Sequence, residues 1–306
     1  MRDAFAGEVL RLIKSDESVI LLTGDLGFGV FDTLSNEHPE NFVNIGVAEQ
    51  NMAGIAAGLA MQNYKVFIYS IANFSTFRCL EQIRNDIAYH NLNVTVVSVG
   101  GGFSYGSLGM SHHATEDISI MRSIPTMEVC APATKMDAIL ATRYFASSPG
   151  PGYLRIDKSD FQPTEKELTF TFGRSSTVRG GTDLTIISTG GILEEAVSAA
   201  IQLSKEGIEC RVINMHTVKP LDTLAIEEAV NETNGILTLE EHSTIGGLGG
   251  AVSEFCLQNS VLPSQFFSMG LNDTFSTVVG DQKYLRKIYG IDEDAIISVV
   301  KSKFSL

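Results

Sequence analysis

Short runs of β-branched and apolar residues alternate along this chain with longer stretches whose apolar positions recur every three or four residues. The runs are Val19–Leu22, Val66–Ile71, Val94–Val99, Met127–Cys130 and Tyr153–Ile156, then, after an interruption, Leu184–Ser188, Cys210–Met215 and Ile236–Leu239. Such alternation is the pattern of a mostly parallel sheet covered by helices. Between the runs, Glu49–Ala60 places Met52, Ile55, Ala56 and Leu59 on one helical face, and Leu80, Ile83 and Ile87 share a face in the next helix. The interruption, Asp160–Asp183, holds Pro163, a charge cluster and Gly180-Gly181, and its alternating Leu168–Phe172 stretch reads as a hairpin strand. The expectation is an α/β chain of two three-layer α/β/α domains: residues 1–165, a linker at 166–182, and residues 183–306. No repeated sequence argues for a solenoid.

Composition narrows the classes of function. At 306 residues there is room for two domains with their own cores. Hydrophobic residues make up 44% and charged ones 19%, a globular composition that excludes disorder as the main state. No apolar run approaches the roughly 18 residues a membrane span needs, and the charged opening MRDAFAGEVLRLIKSDESV does not read as a secretion signal, so a cytoplasmic protein is expected. Twenty-two basic against thirty-six acidic residues leave a net charge of −14, which repels nucleic-acid backbones and anionic lipid. Cys79, Cys130, Cys210 and Cys256 lie far apart without ligand spacing, so buried thiols are expected rather than disulfides or a metal site.

Three stretches can carry chemistry. In Asn44-Ile-Gly-Val-Ala-Glu-Gln-Asn-Met-Ala-Gly-Ile-Ala-Ala-Gly-Leu-Ala60 a glycine turn delivers Glu49 to the first turn of a helix rich in small residues. By position alone, Glu49 complements the helix dipole, as many helix-start acids do. Phe74 and Phe77 mark an aromatic corner between a strand and a helix, with Arg78 beside them, and the two phenylalanines equally suit a hydrophobic core. The third stretch, Gly100–Ile118, is a glycine-rich loop with adjacent His112 and His113, a pair able to bind hydroxyls and move protons near neutral pH. Asp25 follows the first strand in a Gly-Asp turn. Arg155 and Lys158 lie near Asp157 and Asp160, with which surface ion pairs are the plainer expectation.

The words GVAEQ and AGIAAGLA closely resemble the pyrimidine-binding domain of the transketolase family. The second half resembles that family's C-terminal domain, through Leu184-Thr-Ile-Ile-Ser-Thr-Gly-Gly191 and Glu240-Glu-His-Ser-Thr-Ile-Gly-Gly-Leu-Gly-Gly250. The resemblance implies a thiamine diphosphate enzyme in which Glu49 shares a proton with the aminopyrimidine ring, enabling the cofactor's own imine to deprotonate the thiazolium. It implies that Phe74, or failing it Phe77, stacks on the pyrimidine, and that Asp25 lies close to the cofactor. His112 takes the place of a substrate-contacting histidine, His113 standing where the family has glutamine. Arg78 matches an arginine near the active site, and Arg155 and Lys158 match a segment where related synthases hold a substrate phosphate. His242 and the Gly246–Gly250 turn are expected at a domain or subunit interface.

The family's Gly-Asp-Gly motif, which holds Mg²⁺ against the diphosphate, has no match, because Gly24-Asp25 is followed by Leu26. The resemblance therefore implies the C-terminal subunit of a split, two-gene transketolase, sharing thiamine diphosphate with an N-terminal, diphosphate-binding subunit that holds most of the Mg²⁺ contacts. An α2β2 assembly acting on sugars or sugar phosphates is expected, with a homodimer contact through this chain. Two alternatives are the β subunit of a 2-oxo acid dehydrogenase and a non-catalytic partner of a thiamine enzyme.

Overall fold

The computed structural model describes residues 1–162 and 170–305. In the first half, α1 (Arg2–Ser15), β1 (Val19–Thr23), α2 (Asp32–Glu37), β2 (Phe42–Asn44), α3 (Glu49–Ala60), β3 (Lys65–Ile71) and α4 (Ala72–Phe77) follow one another. Then come α5 (Leu80–Gln82), β4 (Val94–Val99), α6 (Asp117–Ser123), β5 (Glu128–Cys130), α7 (Lys135–Ser147) and β6 (Gly152–Ile156). The second half runs β7 (Ser176–Arg179), β8 (Leu184–Thr189), α8 (Leu193–Ser204), β9 (Cys210–Asn214), β10 (Thr217–Lys219) and α9 (Thr223–Glu232). It ends with β11 (Ile236–Ser243), α10 (Leu248–Asn259), β12 (Phe266–Leu271), α11 (Gln282–Ile288) and α12 (Glu293–Lys303).

Two sheets result, ordered β10-β5-β6-β4-β3-β1-β2 and β12-β11-β8-β9-β7. Among the described residues the strands of both sheets pair in parallel, except the edge strands β10 and β7. The inner strands are buried on both faces, which is why they read as continuous apolar runs. In β1, Ile20 and Leu22 pack with Met52, Ala53 and Ala56 of α3. Leu21 faces the opposite layer, with Phe5 and Val9 of α1 and Ala141 and Phe145 of α7. The four cysteines are buried free thiols.

The structure differs from the sequence expectation in four places. Ile55 is 36% exposed, because α3 buries its small-residue side, Ala53, Ala56 and Ala57, with Met52. Ile83 and Ile87 are fully buried as expected, but on a π-helical turn (Ile83–Ala88) in which Tyr89 N–H donates to Arg84 O. Part of the Leu168–Phe172 stretch lies outside the described residues; beyond it Thr171 and Arg174 bridge, and β7 already begins at Ser176, within the segment read as linker. Finally, β10, from the second half, pairs antiparallel with β5 of the first sheet, where Lys219 Nζ also donates to the carbonyls of Arg122 and Ile124. No helix among the described residues is long and apolar enough to cross a membrane.

Buried charge keys the two halves together. Arg155 Nε donates to Asp117 Oδ2 at 2.8 Å, and its Nη2 donates to the carbonyls of Ala114 (2.9 Å) and Glu241 (3.0 Å). Tyr153 donates its hydroxyl to the same Asp117 oxygen at 2.7 Å. From the other half, His242 Nε2 accepts the Ser119 N–H at 3.3 Å, its Nδ1–H donating to Ser243 O. Asp157 accepts the Gly191 N–H at 2.6 Å. Removing one partner of such a pair strands the other in low dielectric. Arg155→Met should therefore destabilise the chain by about 3–5 kcal/mol, read as a lower denaturation midpoint at an unchanged slope; a midpoint equal to the wild type would mean that the seam bears no stability.

Candidate functional site

The loops that leave the C-terminal ends of parallel strands are where α/β sheets build sites. After β2 the chain turns through Gly46, whose φ of +78° suits glycine, and enters α3 at Glu49. The Glu49 carboxylate is only 3% exposed. Its Oε1 accepts from Ser70 Oγ at the end of β3 (3.2 Å), and its Oε2 accepts from Arg78 Nη1 just beyond α4 (3.1 Å). The Arg78 guanidinium lies 3.8 Å over the Phe74 ring, a cation–π contact. The edge of that ring meets His112, with centroids 5.1 Å apart. Glu49, Arg78, Phe74 and His112 thus form one continuous chain of contacts, although 63 residues separate its ends in sequence.

His113 turns the other way. It is 3% exposed, its Nε2 is 3.2 Å from Gly106 O, and its Nδ1 is buried without a partner. With the carbonyl as acceptor, the proton sits on Nε2 and Nδ1 offers a bare lone pair. Phe77, 41% exposed, lines with His113 a cavity of about 380 Å³ that also touches Met110, Glu116 and Phe275.

Asp25 stands at the rim, exposed, in the left-handed region at φ 59°. Its carboxylate accepts from Asn44 Nδ2, while Asn44 Oδ1 accepts the N–H groups of Asp25 and Gly46. Asn44 thereby ties the β1 loop to the turn that presents Glu49. Lys158 is exposed, its ammonium 4.4 Å over the Tyr105 ring.

Arg155 corrects the sequence reading. It is 3% exposed, and its ion pair is with Asp117, not with Asp157 or Asp160, its Nε and Nη2 donating to Asp117, Ala114 and Glu241. Asp157 is buried on backbone N–H groups, and Asp160 pairs with Lys135. Sequence reasoning could not see this because the acid that captures Arg155 lies 38 residues upstream. It also passed over Ser70 and Asn44, which carry no local signal, and gave no role to Glu240 and Glu241. There a signal exists, since two adjacent acids inside an apolar strand demand buried partners.

Residues 1–163 match the transketolase pyrimidine-binding domain and residues 173–296 the transketolase C-terminal domain; the chain belongs to the transketolase family. It is 35% identical, over 96% of its length and 94% of the relative's, to an apulose-4-phosphate transketolase subunit of Phocaeicola vulgatus. A 6-deoxy-6-sulfo-D-fructose transketolase subunit of a Clostridium species is 34% identical over 97% of this chain and 92% of its own length. Among solved structures, one described as a split gene transketolase, inactive beta4 tetramer, superposes with a TM-score of 0.90 at 32% identity, covering 99% of this chain and 97% of that one.

Burial holds the His113 imidazole below its usual range, with the Gly106 carbonyl, Glu241 and Glu116 opposing the shift and His112 adding to it. A histidine kept neutral in the fold takes up protons more readily when unfolded, so stability rises with pH across its range. Its contribution is complete above the unfolded value of about 6.5 and is lost as pH falls below it. His113→Gln, which cannot titrate, should lose less stability than the wild type between pH 7.5 and pH 5.5 in denaturant melts. Equal losses in the two proteins would contradict a neutral buried His113.

Proposed function

We propose that this chain is the pyrimidine-side subunit of a two-chain, cytoplasmic transketolase, in which a two-carbon ketol unit passes from a ketose to an aldehyde. The supporting observation is Glu49, a carboxylate 3% exposed at a helix start and joined through Arg78 to the Phe74 ring. These residues fit the pyrimidine end of thiamine diphosphate: a dry carboxyl group to share a proton with a ring nitrogen, and an aromatic face to stack on. When bound, the cofactor supplies the carbon nucleophile and the electron sink. Glu49 holds the proton at the ring nitrogen, and Ser70 and Arg78 fix its two oxygens in place. Phe74 stacks on the ring, with Phe77 as the neighbouring alternative, and Asp25 borders the cofactor from the β1 loop. His112 faces the sugar, where its imidazole bonds hydroxyls and carries a proton during carbon–carbon cleavage. His113 and Arg78 line the substrate side, and Lys158 is an exposed cation that, with Arg155 behind it, can serve an anionic substrate.

We assign the diphosphate and most Mg²⁺ contacts to a partner subunit, since Gly24-Asp25 runs into Leu26 rather than glycine. Phe28 and Val47, on the loops that flank Asp25 and Glu49, are 77% and 69% exposed, apolar surface of the kind a partner covers. An α2β2 assembly with a homodimer contact between two copies of this chain satisfies closed twofold symmetry. The two subunit relatives are named for a phosphorylated and a sulfonated sugar, which supports a ketose or ketose phosphate as donor.

In the complex reconstituted with its diphosphate-binding partner, Glu49→Gln should slow deuterium exchange at C2 of bound thiamine diphosphate and ketol transfer by at least about a hundredfold. The chain alone should bind Mg²⁺ and thiamine diphosphate weakly by calorimetry and transfer nothing. Wild-type C2 exchange in the variant, or ketol transfer by the single chain, would refute the reading.

A further inference from the structure

Glu241, on β11 in the second half, reaches across to the glycine-rich loop of the first. Its carboxylate is 4% exposed and fully engaged. Oε1 accepts the Phe103 N–H at 2.5 Å and Gln282 Nε2 at 2.9 Å; Oε2 accepts Gln282 Nε2 at 3.2 Å and Nε of Arg286. Arg286, also 4% exposed, is steadied in turn by Glu195 at 3.2 Å. The carbonyl of the same Glu241 accepts from Arg155, whose Nη2 also donates to Ala114 O. Both ends of the loop therefore converge on one residue, and Gly102 and Ala114 close its neck by exchanging two backbone hydrogen bonds of 2.8 and 3.1 Å. At Gly102, φ is +59° and a Cβ would run into the Glu241 carboxylate, so loop and carboxylate are shaped to each other.

From this neck the contacts run outward to the histidines. The Phe103 ring meets His113 edge-on with centroids 5.2 Å apart and stacks on Tyr289 at 5.3 Å. Gly106 O lies 3.2 Å from His113 Nε2 and accepts the Gly280 N–H at 3.3 Å. His112, next in the chain, packs against Phe74.

We infer that Glu241 is a positioning residue for ketol transfer: it touches neither cofactor nor sugar, but anchors the neck of the loop that carries His112 and His113. The inference rests on the proposed function and gives the second half a part in it. The two hydrogen-bond partners of the Glu49 carboxylate, Ser70 and Arg78, both stand outside the loop. Loosening the neck should therefore harm transfer while sparing the proton chemistry that Glu49 serves. Glutamine at 241 keeps the size of the side chain but turns an NH₂ donor toward groups that are all donors.

In the reconstituted complex, Glu241→Gln should lower kcat for transfer by about a hundredfold, with C2 deuterium exchange of bound thiamine diphosphate within about twofold of wild type. Gln282→Leu, which removes two donors without stranding Arg286, should show the same split at about tenfold, and decides the matter if the Glu241 variant does not fold. On the single chain, amide hydrogen exchange in residues 100–116 should quicken in both variants, and Glu241→Asp should restore part of the protection. A parallel fall in C2 exchange, or transfer at the wild-type rate, would overturn the inference, as would unchanged loop exchange. A wild-type complex that exchanges C2 but transfers no ketol unit would instead overturn the proposed function, the loop exchange still deciding whether Glu241 anchors the neck.

Discussion

Charge buried between two apolar sheets is tolerated only when each group finds partners of opposite sign or dipole, and the seam between the halves of this chain is built to that rule. Arg155 and Tyr153 converge on Asp117, and Arg286 and Gln282 converge on Glu241. Glu240 accepts the first two free N–H groups of α10, where the helix dipole favours an anion, although burial still pushes its carboxyl above the ordinary range. Burial likewise raises the Asp157 carboxyl, while the Gly191 and Ser159 N–H groups pull it back. Directional bonds of this kind fix relative orientation more sharply than apolar contact does, because each has one geometry that satisfies it.

That orientation matters because the site is assembled from loops. Glu49, Ser70, Phe74 and Arg78 stand on the ends of strands and helices of the first sheet, whereas His112 and His113 ride on a long loop that has no regular structure of its own beyond one short turn. A long loop fluctuates unless it is tied, and several of the ties here come from the second half: Glu241, Gly280, Tyr289, and Thr115 O to the Ser243 N–H. The second α/β unit thus backs the loop-borne part of the site.

Much of this was legible in the sequence. Inner strands announce themselves through unbroken β-branched runs, and α3 begins at Glu49 and ends at Ala60 as the small-residue pattern suggests. The edge strands β2, β7, β10 and β12 escaped notice because they are short or half-buried, so neither length nor alternation marks them. At the site, Glu49 and the two histidines stood out by residue type and position. The partner of Arg155 did not, since a buried ion pair is a property of tertiary packing and the neighbouring acids Asp157 and Asp160 offered a misleading local answer.

The strand β10 crosses from one half to the other, and this bears on the order in which the protein can be made. Until Thr217–Lys219 leaves the ribosome, the β5 edge of the first sheet lacks its outer strand, although every other strand of that sheet has been synthesised by Ile156. An emerging chain therefore carries an open edge for some sixty residues of synthesis, the kind of surface that invites pairing with other nascent chains. The strand is brief and brings a lysine to that edge, so the late addition closes it with little backbone to order and a charge that discourages further pairing.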